Sequence, residues 1–92
     1  MRLVVTTSQF RKSLKKILKS GKSDRKEIEN VISIIARGEK LPSKYQDHQL
    51  YGRFLGKREC HIKPDLLLVY RIQDNNLILV LIDIGNHANL FE

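Results

Sequence analysis

The sequence predicts an α+β domain of order β-α-α-β-β-β, two N-terminal helices packed on a mostly antiparallel sheet. Three observations predict it. Apolar residues recur at helical spacing across residues 8–37. After Tyr51 the period falls to two, and two nearly continuous apolar runs, 66–72 and 77–84, then flank the turn triplet Asp74-Asn75-Asn76. At 92 residues and 41% hydrophobic, the chain is globular and makes one domain, 1–92, with a single modest core.

Residues 2–6 are apolar and β-branched, a short first strand. Ser8 or a neighbouring threonine caps a helix running to Ser20, and Gly21 stops it. Its apolar face is Phe10, Leu14, Ile17 and Leu18, with Arg11, Lys12, Lys15, Lys16 and Lys19 opposite. A second helix starts at Ser23 or Asp24, where Asp24 and Glu27 have capping-box spacing, and Gly38 ends it. Its stripe is Ile28, Val31, Ile32 and Ile35, and the short gap implies an antiparallel helical hairpin.

Gly38 to Tyr51 is polar, contains Pro42, and reads as a loop with room for a turn of helix. Alternation then places Phe54, Arg58, Cys60 and Ile62 on one side, with Leu55, Lys57, Glu59, His61 and Lys63 on the other. Pro64-Asp65 makes a turn. Leu66 to Ile72 is apolar enough to be covered on both faces, and Leu77 to Ile84 returns as a second buried strand. Gly85 breaks that strand, leaving a short tail from His87 to Phe91.

Charge is uneven. Residues 1–44 carry twelve Lys/Arg and four Asp/Glu, and residues 45–92 carry five and six, which together give the net +7. Such a field attracts nucleic acid, an anionic membrane or an acidic protein alike. No apolar run of eighteen residues exists to span a membrane, and the N-terminus lacks signal-peptide features. The single cysteine, Cys60, forms no internal disulfide and no Cys-pair metal motif. A reducing, cytoplasmic setting is the expectation.

Three histidines in polar segments suggest proton-transfer chemistry on an anionic substrate: Asp47-His48, Glu59-Cys60-His61 with nearby Asp65, and Gly85-Asn86-His87. Metal-free RNA cleavage needs a base for the 2′-hydroxyl, an acid for the 5′-oxygen, and cations for the charge building on phosphorus. The strand face bearing Lys57, Glu59, His61 and Lys63 has that composition, although a solvated strand face would too. His48 and His87 also read as ordinary surface histidines. Zinc held by His48, His61 and His87 is conceivable, but their spacing matches no local ligand pattern. The lysines of the first helix form a solvated face, an RNA- or ribosome-binding face, or a membrane-surface face, the last disfavoured by a narrow, Trp-free apolar stripe. Phe91 is a packing anchor or a platform on which a base stacks.

Three segments together resemble the YafQ-like branch of the RelE superfamily. They are Tyr45-Gln46-Asp47-His48-Gln49-Leu50, the run from Arg58 to Tyr70, and Gly85-Asn86-His87-Ala88-Asn89-Leu90-Phe91. The resemblance implies a compact RelE-like domain and the toxin of a bacterial type II toxin–antitoxin pair. It implies a metal-independent endoribonuclease (an mRNA interferase) acting on mRNA, typically on the ribosome. Attack by the 2′-hydroxyl would leave a 2′,3′-cyclic phosphate and a 5′-hydroxyl. His48, His61, Asp65 and His87 would be catalytic, with Glu59 at an acidic position of the family. Phe91 would contribute to activity, and Lys57, Arg58 and Lys63 are the cations available to the substrate. Lys12, Lys15, Lys16 and Lys19 would meet the RNA or ribosome backbone. No metal or organic cofactor is implied. The implied partner is a cognate acidic antitoxin.

Asp83 departs from the pattern, standing where many relatives carry arginine, and an acid there would repel the scissile phosphate. That departure raises an alternative: a catalytically silent RNA- or partner-binding module of the same fold. Phe54 stands where tryptophan is common.

Overall fold

In the computed structural model, which describes residues 1–21 and 25–91, the Asp74-Asn75-Asn76 triplet is a tight hairpin turn. All three residues have positive φ (54°, 56° and 68°), and the Leu77 amide donates to the Asp74 carbonyl at 3.2 Å. Asn and Asp tolerate this left-handed conformation better than other side chains because they hydrogen-bond locally. The turn joins β4 (Leu66–Gln73) to β5 (Ile78–Gly85), which pair antiparallel. On the other side of β4 lies β3 (Arg58–Lys63), also antiparallel. β1 (Leu3–Thr6) runs parallel to β5, and a two-residue β2 (His48–Gln49) pairs with β3, giving the sheet order β1-β5-β4-β3-β2. The sheet is thus antiparallel except at the β1–β5 pair.

Helix α1 (Ser8–Ser20) is capped by Thr7, whose Oγ1 accepts from the Phe10 amide at 3.0 Å and donates to the Ile82 carbonyl at 2.6 Å. One threonine therefore both starts the helix and ties it to β5. Gly21 at φ 68° ends it. Helix α2 (Arg25–Ala36) buries Ile28, Val31, Ile35 and Ala36. Its last carbonyls are met by Arg2, through Nη1 to the Ile35 carbonyl at 2.6 Å and the backbone amide to the Ala36 carbonyl at 2.7 Å. The expected caps Ser23 and Asp24 lie outside the described residues.

The main core lies between the sheet and the helices. It joins Phe10 and the α2 stripe to Cys60, Ile62, Leu68, Tyr70, Leu79, Leu81 and Ile84. The run Leu66–Tyr70 is buried at every residue, as its continuous apolarity predicts for a strand covered on both faces.

Three expectations are corrected. The polar stretch before Tyr51 holds the turn of helix it left room for, the 3₁₀ turn Ser43–Tyr45, but also a strand, β2, where only loop is expected. The strand expected from Phe54 begins only at Arg58, because Gly52 at φ 67° opens another 3₁₀ turn (Gly52–Phe54). The C-terminal tail is a one-turn helix, α3 (His87–Phe91), with Asn86 Oδ1 accepting from the Asn89 amide at 2.8 Å. Short polar segments carry too few periodic positions for any of these to be read from pattern alone.

Cys60 sits in the core at 0% exposure, and burial pushes its thiol up to about 12. The folded state thus favours the protonated thiol. Its contribution to stability is complete below the ordinary thiol value of about 8.5 and is lost as pH rises from there toward 12. At pH 8 the native protein is expected to leave an aromatic disulfide reagent unreacted, releasing one equivalent only after denaturation. Rapid reaction of the native protein would show that the sheet opens at β3.

Candidate functional site

Pairing of β2 with β3 assembles the site. Glu59 and His61 are two residues apart in β3 and so share a face, and the register sets His48 directly across from Glu59. The Glu59 carboxylate is 7% exposed, and its Oε1 lies 3.2 Å from His61 Nε2 and 3.7 Å from His48 Nε2. The two imidazole centroids are 6.3 Å apart. A carboxylate so placed can accept a hydrogen bond from a ring N–H of either histidine. His48 Nδ1 lies 2.7 Å from the Gln46 carbonyl. A carbonyl only accepts, so neutral His48 carries its proton on Nδ1 and leaves Nε2 free to take one.

A second cluster surrounds the C-terminal helix. The His87 ring stands 5.0 Å from Phe91, and Phe91 meets Phe54 edge-on at 5.0 Å. The Arg53 guanidinium and Lys57 Nζ lie over the Phe54 ring at 5.0 and 5.6 Å. His87 thus stands exposed on the first turn of α3, its ring against Phe91. Lys57, two residues before Glu59 in the chain, belongs to this cluster through Phe54.

Asp65 is exposed in the β3–β4 turn, where with Lys63, Asn86 and Asn89 it borders a groove of about 250 Å³. Lys63 also borders a second groove, of about 480 Å³, beside His61, Tyr45 and Gln46. Arg58 points away from the histidines, as its alternation predicts, and donates to Asp47 from Nη2 at 2.9 Å and Nε at 3.4 Å. Tyr70 also donates to Asp47 through its hydroxyl. Arg58 is thus committed to an internal carboxylate, leaving Lys57 and Lys63 as the cations of the histidine face. Lys12, Lys15, Lys16 and Lys19 are all exposed along α1.

Asp83 is engaged with α1. Its Oδ1 accepts from the Ser13 hydroxyl at 2.6 Å and the Ile84 amide at 2.8 Å. Here the register slips, Val69 pairing with Asp83 and Tyr70 with Leu81, so Ile82 is the extra residue of a β-bulge. Sequence reasoning placed Asp47 beside His48 but missed its partner Tyr70 and the Gln46 carbonyl. Tyr70 reads as a core residue, and only the direct pairing of Arg58 with Tyr70 reveals its second partner.

Residues 2–92 match the family model described as a bacterial toxin of type II toxin–antitoxin systems, YafQ. The class is therefore that of the families described as toxins of type II systems. Within it, the chain belongs to the YafQ family. It is 41% identical over 51 residues to the mRNA interferase toxin YafQ of Escherichia coli K12, a match covering 55% of this chain and 53% of that protein. The chain spans about half the length of the curated relatives it matches. Among solved structures it resembles a copper-bound mutant toxin from Helicobacter pylori, with TM-score 0.93 and 37% identity over 99% of this chain and 100% of the other. It also resembles the toxin in the E. coli DinJ–YafQ toxin–antitoxin complex, with TM-score 0.88 and 29% identity over 99% and 98% of the two chains.

Proposed function

We propose that this chain is an endoribonuclease toxin that cleaves mRNA on the ribosome and is restrained by an acidic antitoxin. The observation that carries the reading is Glu59, a buried carboxylate within 3.2 and 3.7 Å of two imidazoles on one sheet face. In the reaction, neutral His48 takes the proton of the 2′-hydroxyl through Nε2. The 2′-oxygen attacks the adjacent phosphorus, the bond from phosphorus to the 5′-oxygen breaks, and a protonated imidazole of the site delivers a proton to that oxygen. Products are a 2′,3′-cyclic phosphate and a 5′-hydroxyl, so atoms and charge balance without an oxidant or a water. Lys57 and Lys63 oppose the charge building on phosphorus. Phe91 and Phe54 offer ring surface to a base, with His87 and Asp65 bordering the path of the strand.

The Helicobacter relative is described as copper-bound. Here Cys60 is buried and held protonated, so it is no ready metal ligand. No step of the reaction is routed through a metal. Asp83, the residue that raised the silent-module alternative, makes hydrogen bonds to Ser13 and the Ile84 amide, which occupy one of its oxygens. The DinJ–YafQ complex of the relative supports an antitoxin partner. Net charge +7 suits that partner and RNA equally. No described helix is long and apolar enough to cross a membrane.

Induced expression tests the reading. Growth arrest with truncated transcripts, relieved by co-expressing the acidic protein encoded beside this gene, is expected. Harmless accumulation of full-length protein would leave only the silent module. Replacing Lys12, Lys15, Lys16 and Lys19 by Gln is expected to weaken ribosome or RNA binding. It should also flatten the dependence of log affinity on log salt by about 0.7 for each phosphate no longer neutralised. An unchanged slope would assign that face of α1 to solvent or the antitoxin.

A further inference from the structure

We propose that Asp47, clamped by Arg58 and Tyr70 on the reverse side of the sheet, is a positioning residue that sets the orientation of His48. The proposal deepens the ribonuclease reading and rests on it for its kinetic test alone.

Asp47 directly precedes His48, the first residue of β2, and their contacts fall on opposite faces of the sheet, Asp47 with Arg58 and Tyr70 and His48 with Glu59. Fixing one therefore fixes the other. The Asp47 carboxylate receives Arg58 Nη2 at 2.9 Å on one oxygen, and Arg58 Nε at 3.4 Å with the Tyr70 hydroxyl on the other. Arg58 and Tyr70 are direct neighbours across β3 and β4, so the clamp is anchored in the middle of the sheet. Tyr70 is 2% exposed, and burial followed by the Asp47 hydrogen bond raises its hydroxyl well above the ordinary phenol range, keeping it a donor. The same carboxylate raises the Arg58 guanidinium. Charge-assisted bonds of this kind are about twice as strong as neutral ones and geometrically specific.

β2 has little else to hold it. Its register to β3 consists of His48 with Glu59 and Gln49 with Arg58, extended by the Leu50 amide donating to the Lys57 carbonyl at 2.9 Å. A second restraint comes from Gln46, which turns left-handed at φ 49° and ψ 43° and sets its carbonyl 2.7 Å from His48 Nδ1. The carboxylate fixes where the His48 backbone sits, and the carbonyl fixes the ring and its tautomer. Nε2 is thereby left toward Glu59.

Nitrogen-15 imidazole spectra of the purified chain read the effect without any RNA. Neutral wild-type His48 is expected as the Nδ1–H tautomer, and Asp47→Asn is expected to shift it to a mixture. On ribosomes, Asp47→Asn should lower kcat by up to about 10²-fold with KM little changed, the size of effect a 1 Å misplacement can have. Tyr70→Phe, which removes one hydroxyl from a packed ring, gives the same readings if Asp47→Asn does not fold. In a His48→Ala background neither change should reduce kcat further, because both act through His48. An unshifted tautomer and wild-type kcat in a folded variant would overturn the proposal, as would a further full loss in the His48→Ala background. A shifted tautomer in a chain that leaves RNA intact would retain the clamp and retire the ribonuclease reading.

Discussion

Glu59→Gln is expected to lower the cleavage rate by about 10²–10⁴-fold, the range typical of a positioned proton-transfer group, while the melting temperature stays near wild type. The substitution keeps the side-chain volume but replaces one acceptor oxygen by an amide donor and removes the charge that faces His61 and His48 at 3.2 and 3.7 Å. Stability should hold because the two imidazoles left behind are partly exposed and need carry no charge, so no uncompensated buried ion remains. His61→Ala is expected to fall in the same range. Glu59→Gln combined with His61→Ala should lose little beyond either alone, because groups that act as a unit are non-additive. Rates on programmed ribosomes, beside thermal melts of the same preparations, check this. Multiplying losses would mean that the carboxylate and imidazole act separately.

Leu68→Ala is expected to remove about 2–5 kcal/mol of stability. Leu68 is 0% exposed at the centre of β4, paired with Cys60 on one side and Ile84 on the other, both buried as well. The backbone on each side is fixed by ladder hydrogen bonds, so the void has little freedom to close. For a domain of this size each kcal/mol shifts the melting temperature by about 4–8 °C, so a fall of at least about 8 °C is expected. Denaturant titration should show a lower midpoint with the slope unchanged. An unshifted midpoint would place Leu68 outside the core.

The helices and the three long strands were legible because each carries several repeats of its own period, as in Phe10, Leu14 and Ile17 or the run Leu66–Tyr70. β2 was not legible: two residues carry no period, and the pairing with β3 comes from tertiary structure. The turn at Gly52 was missed for a related reason, since Phe54 and Leu55 continue the alternation of β3 although the chain bends before Arg58. At the site, residue types were readable but partners were not. His61 and Glu59 share a face by spacing alone, whereas His48 reaches Glu59 only through strand register. Tyr70 illustrates the limit, because a buried aromatic in an apolar strand gives no sign that its hydroxyl meets Asp47, 23 residues away.

The most direct test is the chemistry of the cut ends. Purified wild-type protein, incubated with a defined mRNA on ribosomes in the presence of a transition-metal chelator, is expected to yield 2′,3′-cyclic phosphate and 5′-hydroxyl termini. The rate should be unaffected by the chelator and at least about 10²-fold slower for Glu59→Gln. Termini bearing 3′-hydroxyl and 5′-phosphate, or cleavage abolished by the chelator and restored by added metal, would contradict catalysis by the histidine face.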